Sequence, residues 1–366
     1  MLLTFFGLLM VFSAGSFQAF IHYGNSLYFL QQQLIRTGIG LGAFFIASKV
    51  SLRWLENVSL WALIGASLLL LLVIVIGHMS NGATRWLRVG FMSLQPTDLA
   101  RLAAVVFLAA LLKKRPIVQL GFWKGVALPL AITGVVCALI LKQPNLSSAA
   151  MMFLTGFGML FLAGAPLRYL SIPVGVGLAG GVVAVLTHPY MMTRVHTYLG
   201  YVLGGQLDHR GAGWQLDQSL IAIGSGGVLG RGLGGGMQKL LYLPEAHTDF
   251  IFSIIAEEVG LWGVTILFVV MAVFLLRGLR AAARASDPFA SLLAGGLTLQ
   301  IGLYALANLA VATGLAPTTG LPFPFVSYGG SALMVNLAAA GLIHRVSAMN
   351  AEEDALARQR WSREAS

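Results

Sequence analysis

The chain has 366 residues, of which 57% are hydrophobic and only 10% charged, with a formal charge of +10. A soluble domain averages about 25% charged residues, so this composition excludes a water-soluble globular fold and describes a polytopic membrane protein. In a soluble protein the positive charge would suggest nucleic acid as a partner, but here the cations fall mostly in short loops, where they set topology, and no nucleic acid is expected. The single cysteine, Cys137, lies in an apolar run and rules out a disulfide or a CxxC site.

About 20 apolar residues span a bilayer. Runs near 2–20, 32–49, 58–77, 97–112, 124–141, 149–165, 169–187, 250–276, 289–312 and 330–346 predict ten transmembrane helices in an all-α fold. The first run lacks the charged flank and small-residue cleavage site of a signal peptide and reads as the first span. Both termini are expected in the cytoplasm. That orientation keeps Lys49, Arg53, the Lys-Lys-Arg run at 113–115, Lys124, Arg168, Arg277, Arg280 and Arg284 inside. Residues 1–346 then form one membrane domain, with 188–249 as a large outer loop between helices 7 and 8. Residues 347–366 form a short cytoplasmic tail, either a solvated helix or disordered. No internal repeat supports an inverted-repeat carrier.

Polar investment concentrates in the outer segments 78–97, 188–249 and 313–330, so the chemistry is expected there. In 82–98, Arg85, Trp86 and Arg88 alternate with apolar groups, ahead of Gln95. This pattern suits an interfacial anchor or a platform for a lipid diphosphate and a sugar. Residues 224–236, GSGGVLGRGLGGG, resemble a dinucleotide fingerprint but lack the strand and βαβ unit it requires. They read as flexible backbone or a re-entrant turn, with Arg231 and Lys239 able to hold phosphates.

Asp249, in PEAHTDFIF at 244–252, is a carboxylate at the membrane edge. An ionisable residue there is a functional candidate by default. It can serve as a general base oriented by Glu245 and His247, or as a helix N-cap in competition with Thr248. Glu257 and Glu258 are adjacent on an apolar helix and point about 100° apart. They predict either a buried pair with Arg or Lys, or a substrate or metal contact. The seven histidines show no zinc spacing. Asn308 and PTTGLPFPFVSYGGS at 317–331 read as irregular backbone walling a cavity.

Five stretches together resemble the SEDS family of shape, elongation, division and sporulation proteins. They are GATRW at 82–86, QPTDLARL at 95–102, GWQLDQSLIAIGSGGVLGRGLG at 213–234, YLPEAHTDFIFSIIAEEVG at 242–260 and TTGLPFPFVSYGGS at 318–331. The resemblance covers nearly the whole membrane domain and is closer to the division branch than to the elongation branch. It implies ten transmembrane helices in the bacterial cytoplasmic membrane. It also implies a peptidoglycan glycosyltransferase that polymerises lipid II, with release of undecaprenyl diphosphate, at the outer face. The implied partners are a class B penicillin-binding protein and other division or elongation machinery. Asp249 matches the family's essential acidic residue, and Trp86 the tryptophan of its GAxRW motif.

Two departures stand out. Asp98 and Arg101 replace the usual Glu and Lys, keeping charge but changing reach. Asn145 in QPNLSS replaces the family's aspartate and loses its charge. The expected mechanism has Asp249 as general base. Cations among Arg85, Arg88, Lys142, Arg194, Arg231 and Lys239 stabilise the leaving diphosphate. The sequence requires no cofactor; a divalent cation, magnesium or manganese, held by carboxylates is the one candidate. The competing classes are a lipid-linked precursor flippase or other transporter, and a scaffold that activates a penicillin-binding protein.

Overall fold

The computed structural model describes residues 1–80, 83–89, 92–113, 117–187, 189–203 and 212–364. Each apolar run falls on a helix. These are α1 Leu2–Tyr23, α2 Tyr28–Lys49, α3 Leu52–Ile76, α4 Pro96–Leu112, α5 Ile117–Phe122, α6 Leu128–Leu141, α7 Leu146–Leu162 and α8 Leu167–Thr187. A π-turn over Trp123–Ala127 joins α5 to α6. Further along come α9 Pro189–Val202, α10 Ala212–Gly226, α11 Ile251–Arg284, α12 Pro288–Ala312 and α13 Ser331–Glu364.

Among the described residues, seven helices are long and apolar enough to cross a membrane. On several of them large apolar side chains face outward, as in α8, where Leu178 is 68% and Leu186 63% exposed. Lipid is the solvent such a surface needs. The helix α2 falls short because Gln31, Gln32, Gln33 and Arg36 interrupt its apolar character. Polar side chains in such a helix need partners inside the protein.

Two expectations need amendment. The fold is not purely helical: β1 His78–Ser80, β2 Ala83–Val89 and β3 Met92–Leu94 pair antiparallel in the order β1-β2-β3. Trp86 pairs with His78, and Leu87 with Leu94. The long segment 188–249 is not plain loop, since α9 and α10 fold within it. Residues 188 and 204–211 of that segment lie outside the described residues, as do Lys114 and Arg115 of the basic run. Residues 347–364 continue α13, the helical one of the two readings of the tail.

The chain divides into two compact units, each built from separate stretches. One comprises Met1–Ile39, Val176–Val273 and Ile301–Leu333, and the other Gly40–Gly175, Phe274–Gln300 and Met334–Ser366. In the second unit α4 is buried on nearly every side, and Ala100, Ala103 and Ala104 pack against Leu63, Leu70, Val136, Ile140 and Met152. Its small residues let neighbouring helices come close, the usual device where lipid supplies no hydrophobic drive. Several buried polar side chains of this unit find partners within it. Arg101 lies 3.5 Å from Asp98 and donates to Asn336 Oδ1 at 2.9 Å, and Gln143 Nε2 donates to Leu70 O at 3.0 Å. Lys113 pairs with Glu56 at 2.5 Å.

In the first unit α1 packs through its small residues. A Cβ added at Gly7 would lie 2.7 Å from the backbone of Phe325 and Val326, so only glycine admits this approach.

Candidate functional site

In the first unit the chain before α11 is a tight turn. Glu245 takes a positive φ of 54°, and its carbonyl accepts from the N–H groups of Thr248, Asp249 and Phe250 at 3.2, 3.1 and 3.3 Å. Thr248 Oγ1 donates to Glu245 Oε2 at 2.8 Å. Thr248, expected to compete with Asp249 for the helix cap, is thus bonded to Glu245. Asp249 follows, half-buried, where polar chain gives way to the apolar helix.

Two elements frame this carboxylate. Asn308 of α12, only 1% exposed, donates through Nδ2 to Asp249 O at 2.8 Å and to Leu321 O at 2.7 Å. One amide therefore ties α12, the turn and the 313–330 loop together. Gly320 on that loop has φ 75°, and a Cβ there would stand 3.3 Å from Asp249 Oδ2. The loop is held from behind by α9, where Arg194 donates to Thr318 O at 2.5 Å and Tyr198 to Leu315 O at 2.8 Å. Ser219 of α10 meets Ser253 Oγ at 2.6 Å and donates to Ala312 O at 2.7 Å. The hydroxyl of Ser327 accepts from Phe323 N–H at 2.7 Å, a wall-building role.

His247 is 4% exposed, stacked on Phe29 at 4.3 Å and 5.2 Å from the Tyr328 ring. Burial pushes its pKa down to about 4 from 6.5. The folded pKa lies below the unfolded one, so between these values the unfolded chain binds more protons and stability rises with pH. Thermal unfolding of the wild type is expected to move to lower temperature as pH falls from about 6.5 to 4. His247→Phe keeps the stack and should flatten that dependence. An unchanged pH slope in the variant would assign it to another group.

The glycine-rich segment and the two glutamates meet in a second cluster of the same unit. The backbone of α11 breaks at Gly260, with φ 63° and ψ −166°. A break leaves helical carbonyls and N–H groups without their usual partners, a costly state in lipid. The segment after α10 supplies them. Arg231 and Gly232 N–H donate to the Glu257 and Glu258 carbonyls, each at 2.9 Å. In return, Leu261 and Trp262 N–H donate to Gly227 and Val228 carbonyls at 3.0 and 3.3 Å. A Cβ at Gly230 would sit 2.2 Å from Glu258 O, so this backbone contact requires glycine. The segment expected to be flexible or a re-entrant turn is therefore docked strand-like on a broken helix.

The side chains reinforce that lock. Glu258, 1% exposed, pairs with Lys239 Nζ at 2.5 Å and accepts from Ser13 Oγ at 2.7 Å and Gly234 N at 3.1 Å. Glu257, fully buried, accepts from Met237 N–H at 2.8 Å and Gln238 N–H at 3.2 Å, with Arg231 at 3.8 Å. Of the two readings of this pair, the buried one with cations is the geometry found. Ser13 was missed by sequence reasoning, because a lone serine in an apolar span carries no distinctive spacing.

The remaining candidates lie in the second unit. Trp86 and Arg85 sit half-buried on β2, and Arg85 donates to the carbonyls of Gln143 (3.1 Å) and Pro144. Arg88 faces Ser93 in the strand register, its side chain outside the described set. Gln95 precedes α4 at its N-cap position, and Lys142 is exposed at the end of α6. Asn145 caps α7 by accepting from Ser148 N–H at 3.3 Å. That role needs an acceptor oxygen and not a charge, and Asn and Asp cap equally well. Among the described residues, no three His, Cys, Asp or Glu side chains converge to hold a metal ion. The divalent cation considered from sequence has no protein-built site there, and no step is derived through it.

Apolar helices, a broken helix satisfied from within the fold and a membrane-edge carboxylate walled by irregular chain together define a multi-pass integral membrane protein. The chain matches the FtsW–RodA–SpoVE cell cycle protein family over residues 1–352, and it belongs to that family. It is 40% identical over 347 residues to "Probable peptidoglycan glycosyltransferase FtsW" of Geobacter metallireducens, covering 94% of this chain and 92% of that one. It is 37% identical to "Stage V sporulation protein E" of Bacillus subtilis, covering 95% and 94%. Among solved structures, one chain of a peptidoglycan synthase complex aligns with a TM-score of 0.74 at 31% identity, covering 93% of this chain and 95% of that chain. The rod shape determining protein RodA of Thermus thermophilus aligns with a TM-score of 0.68 at 29% identity, covering 94% and 92%.

Proposed function

We propose that this chain is a peptidoglycan glycosyltransferase that polymerises lipid II, and that Asp249 is its general base. Family membership and the relatives' naming support the activity. The observation that carries the residue assignment is a half-buried aspartate just before an apolar helix, its backbone carbonyl held by Asn308 and its carboxylate faced by Gly320. In glycosyl transfer the acceptor's sugar hydroxyl attacks the anomeric carbon of the donor. A carbon–oxygen bond forms, the bond to the diphosphate breaks, and undecaprenyl diphosphate leaves with the electron pair. The hydroxyl proton passes to Asp249, a step worth typically ~10²–10⁴-fold.

The reading places ten spans in the bacterial cytoplasmic membrane, both termini inside, with residues 1–346 acting as one membrane domain. Asp249 and the 188–249 segment then face outward, toward lipid-linked substrate. A class B penicillin-binding protein is the proposed partner, in keeping with the synthase complex whose chain aligns with this one. Division is favoured over elongation because identity reaches 40% to the FtsW relative and 37% to the sporulation relative, against 29% to RodA.

Purified protein in liposomes with labelled lipid II tests the function. Glycan ladders are expected. Lipid translocation without polymer would place the chain among carriers instead, and polymer formed only by an added partner would leave it a scaffold.

Gly320→Ala sharpens the site assignment. Alanine at this left-handed position costs about 1–2 kcal/mol, and its methyl group crowds Asp249 Oδ2. Polymerisation is expected to fall by more than the lowered unfolding temperature accounts for. A variant destabilised to that extent yet fully active would move the reacting groups away from this loop.

A further inference from the structure

One buried charge is left over. Arg36, on α2, is 7% exposed, and its Nε and Nη1 have no hydrogen-bond partner among the described residues. No carboxylate among them forms an ion pair with it, while every other charged side chain found buried in the first unit, Lys239, Glu257 and Glu258, has an opposite charge within 4 Å. Its guanidinium lies 4.6 Å from the centroid of the Tyr328 ring and is hydrogen-bonded to the Tyr328 side chain, a neutral partner that leaves the charge without a counter-ion. A ring face offsets only a small part of what a buried cation loses in leaving water. Retaining an unneutralised guanidinium in a membrane helix marks a site for an anion that arrives from outside the protein.

The surroundings locate that anion. Gln33, one turn before Arg36, donates to Ser327 O at 3.2 Å and accepts from Gly329 N–H at 3.4 Å. Tyr328 lies between those two residues, and its N–H donates to His247 O at 2.9 Å. His247 is two residues from Asp249. Arg36 is thus joined to the Asp249 turn by a short run of packed and hydrogen-bonded groups, all in the same unit. His247, neutral above a pKa of about 4, adds no competing positive charge there. Arg36 lies eight residues beyond the start of α2 at Tyr28, a rise of about 12 Å. With that end outward, Arg36 lies near the middle of this 22-residue helix, below headgroup depth, so an anion reaches it only by entering the fold. A planar guanidinium fork matches phosphate oxygens two at a time.

We propose that Arg36 binds the diphosphate of the lipid-linked substrate. The half-exposed Tyr328 ring covers the guanidinium and swings aside to admit the ligand. The assignment rests on the glycosyltransferase reading above. It adds to it a cation that meets the charge growing on the departing diphosphate, a role expected from sequence to fall among Arg85, Arg88, Lys142, Arg194, Arg231 and Lys239. Of these, Arg85, Arg194, Arg231 and Lys239 bind backbone carbonyls or carboxylates.

The test uses the full chain in nanodiscs with three probes: undecaprenyl diphosphate, undecaprenyl monophosphate and uncharged undecaprenol. Wild type is expected to bind the diphosphate most tightly and undecaprenol least. Arg36→Met should weaken diphosphate binding about tenfold or more, leave undecaprenol binding unchanged, and raise KM for lipid II more than it lowers kcat. Arg36→Lys keeps the charge without the fork and should fall between. It decides the matter if the Met variant does not fold. Equal affinity of wild type for diphosphate and undecaprenol, or wild-type diphosphate affinity in whichever variant folds, overturns the assignment. Free inorganic pyrophosphate competing as well as the lipid would show an anion site with no lipid specificity, and overturns it too. Absence of polymer from wild type that still shows the Arg36-dependent binding would instead remove the glycosyltransferase reading.

Discussion

Lys239→Met is expected to destabilise the protein by about 3–5 kcal/mol, the usual result of stripping the partner from a buried charge. Glu258 is 1% exposed and would be left with Ser13 and the Gly234 N–H as its remaining donors. The loss falls on the segment that satisfies the Gly260 break, so the defect should appear as local opening around 227–241 before global unfolding. Hydrogen exchange in detergent reads the first, and thermal unfolding the second. Replacing both partners by methionine should recover part of the stability, since a well-packed apolar pair often equals a buried ion pair. A Lys239→Met protein with wild-type stability and exchange would show that the lock rests on its backbone bonds alone.

Asp249→Asn is expected to leave the protein folded and inserted while abolishing glycan polymerisation, a rate loss of at least ~10²–10⁴-fold. The substitution preserves size and the backbone bonds from Asn308 and to Glu245, and removes only the ability to take a proton. Binding of lipid II should therefore survive. Near-normal ladders from this variant would reassign the base. Lost binding would make Asp249 a substrate-holding group.

The sequence carried much of this in plain form. Ten apolar runs lie on helices, and three of the five stretches that matched family motifs, at 213–234, 242–260 and 318–331, lie in one unit, where Asn308 ties Asp249 to the last of them. What escaped has physical reasons. Residues 78–80, 83–89 and 92–94 pair as strands because their alternation of polar and apolar groups has period two, which an interfacial piece of chain can share. The glycine run at 224–236 was read as loose, because glycine signals freedom in sequence. Its purpose is the opposite here, giving two backbones room to bond across the Gly260 break. That pairing joins stretches 30 residues apart, and no local pattern announces it. Arg36 had a legible signal, a lone cation inside an apolar run, yet only its missing partner in three dimensions gives the signal meaning.

The central claim concerns where one carboxylate sits relative to a sugar. Trapping the Asp249→Asn protein with lipid II bound, and solving that complex, tests it most directly. The side chain at 249 should lie within about 2.6–3.2 Å of the acceptor hydroxyl, with the diphosphate on the Arg36 side. A saccharide bound elsewhere, with residue 249 out of reach behind the 313–330 loop, would contradict the account.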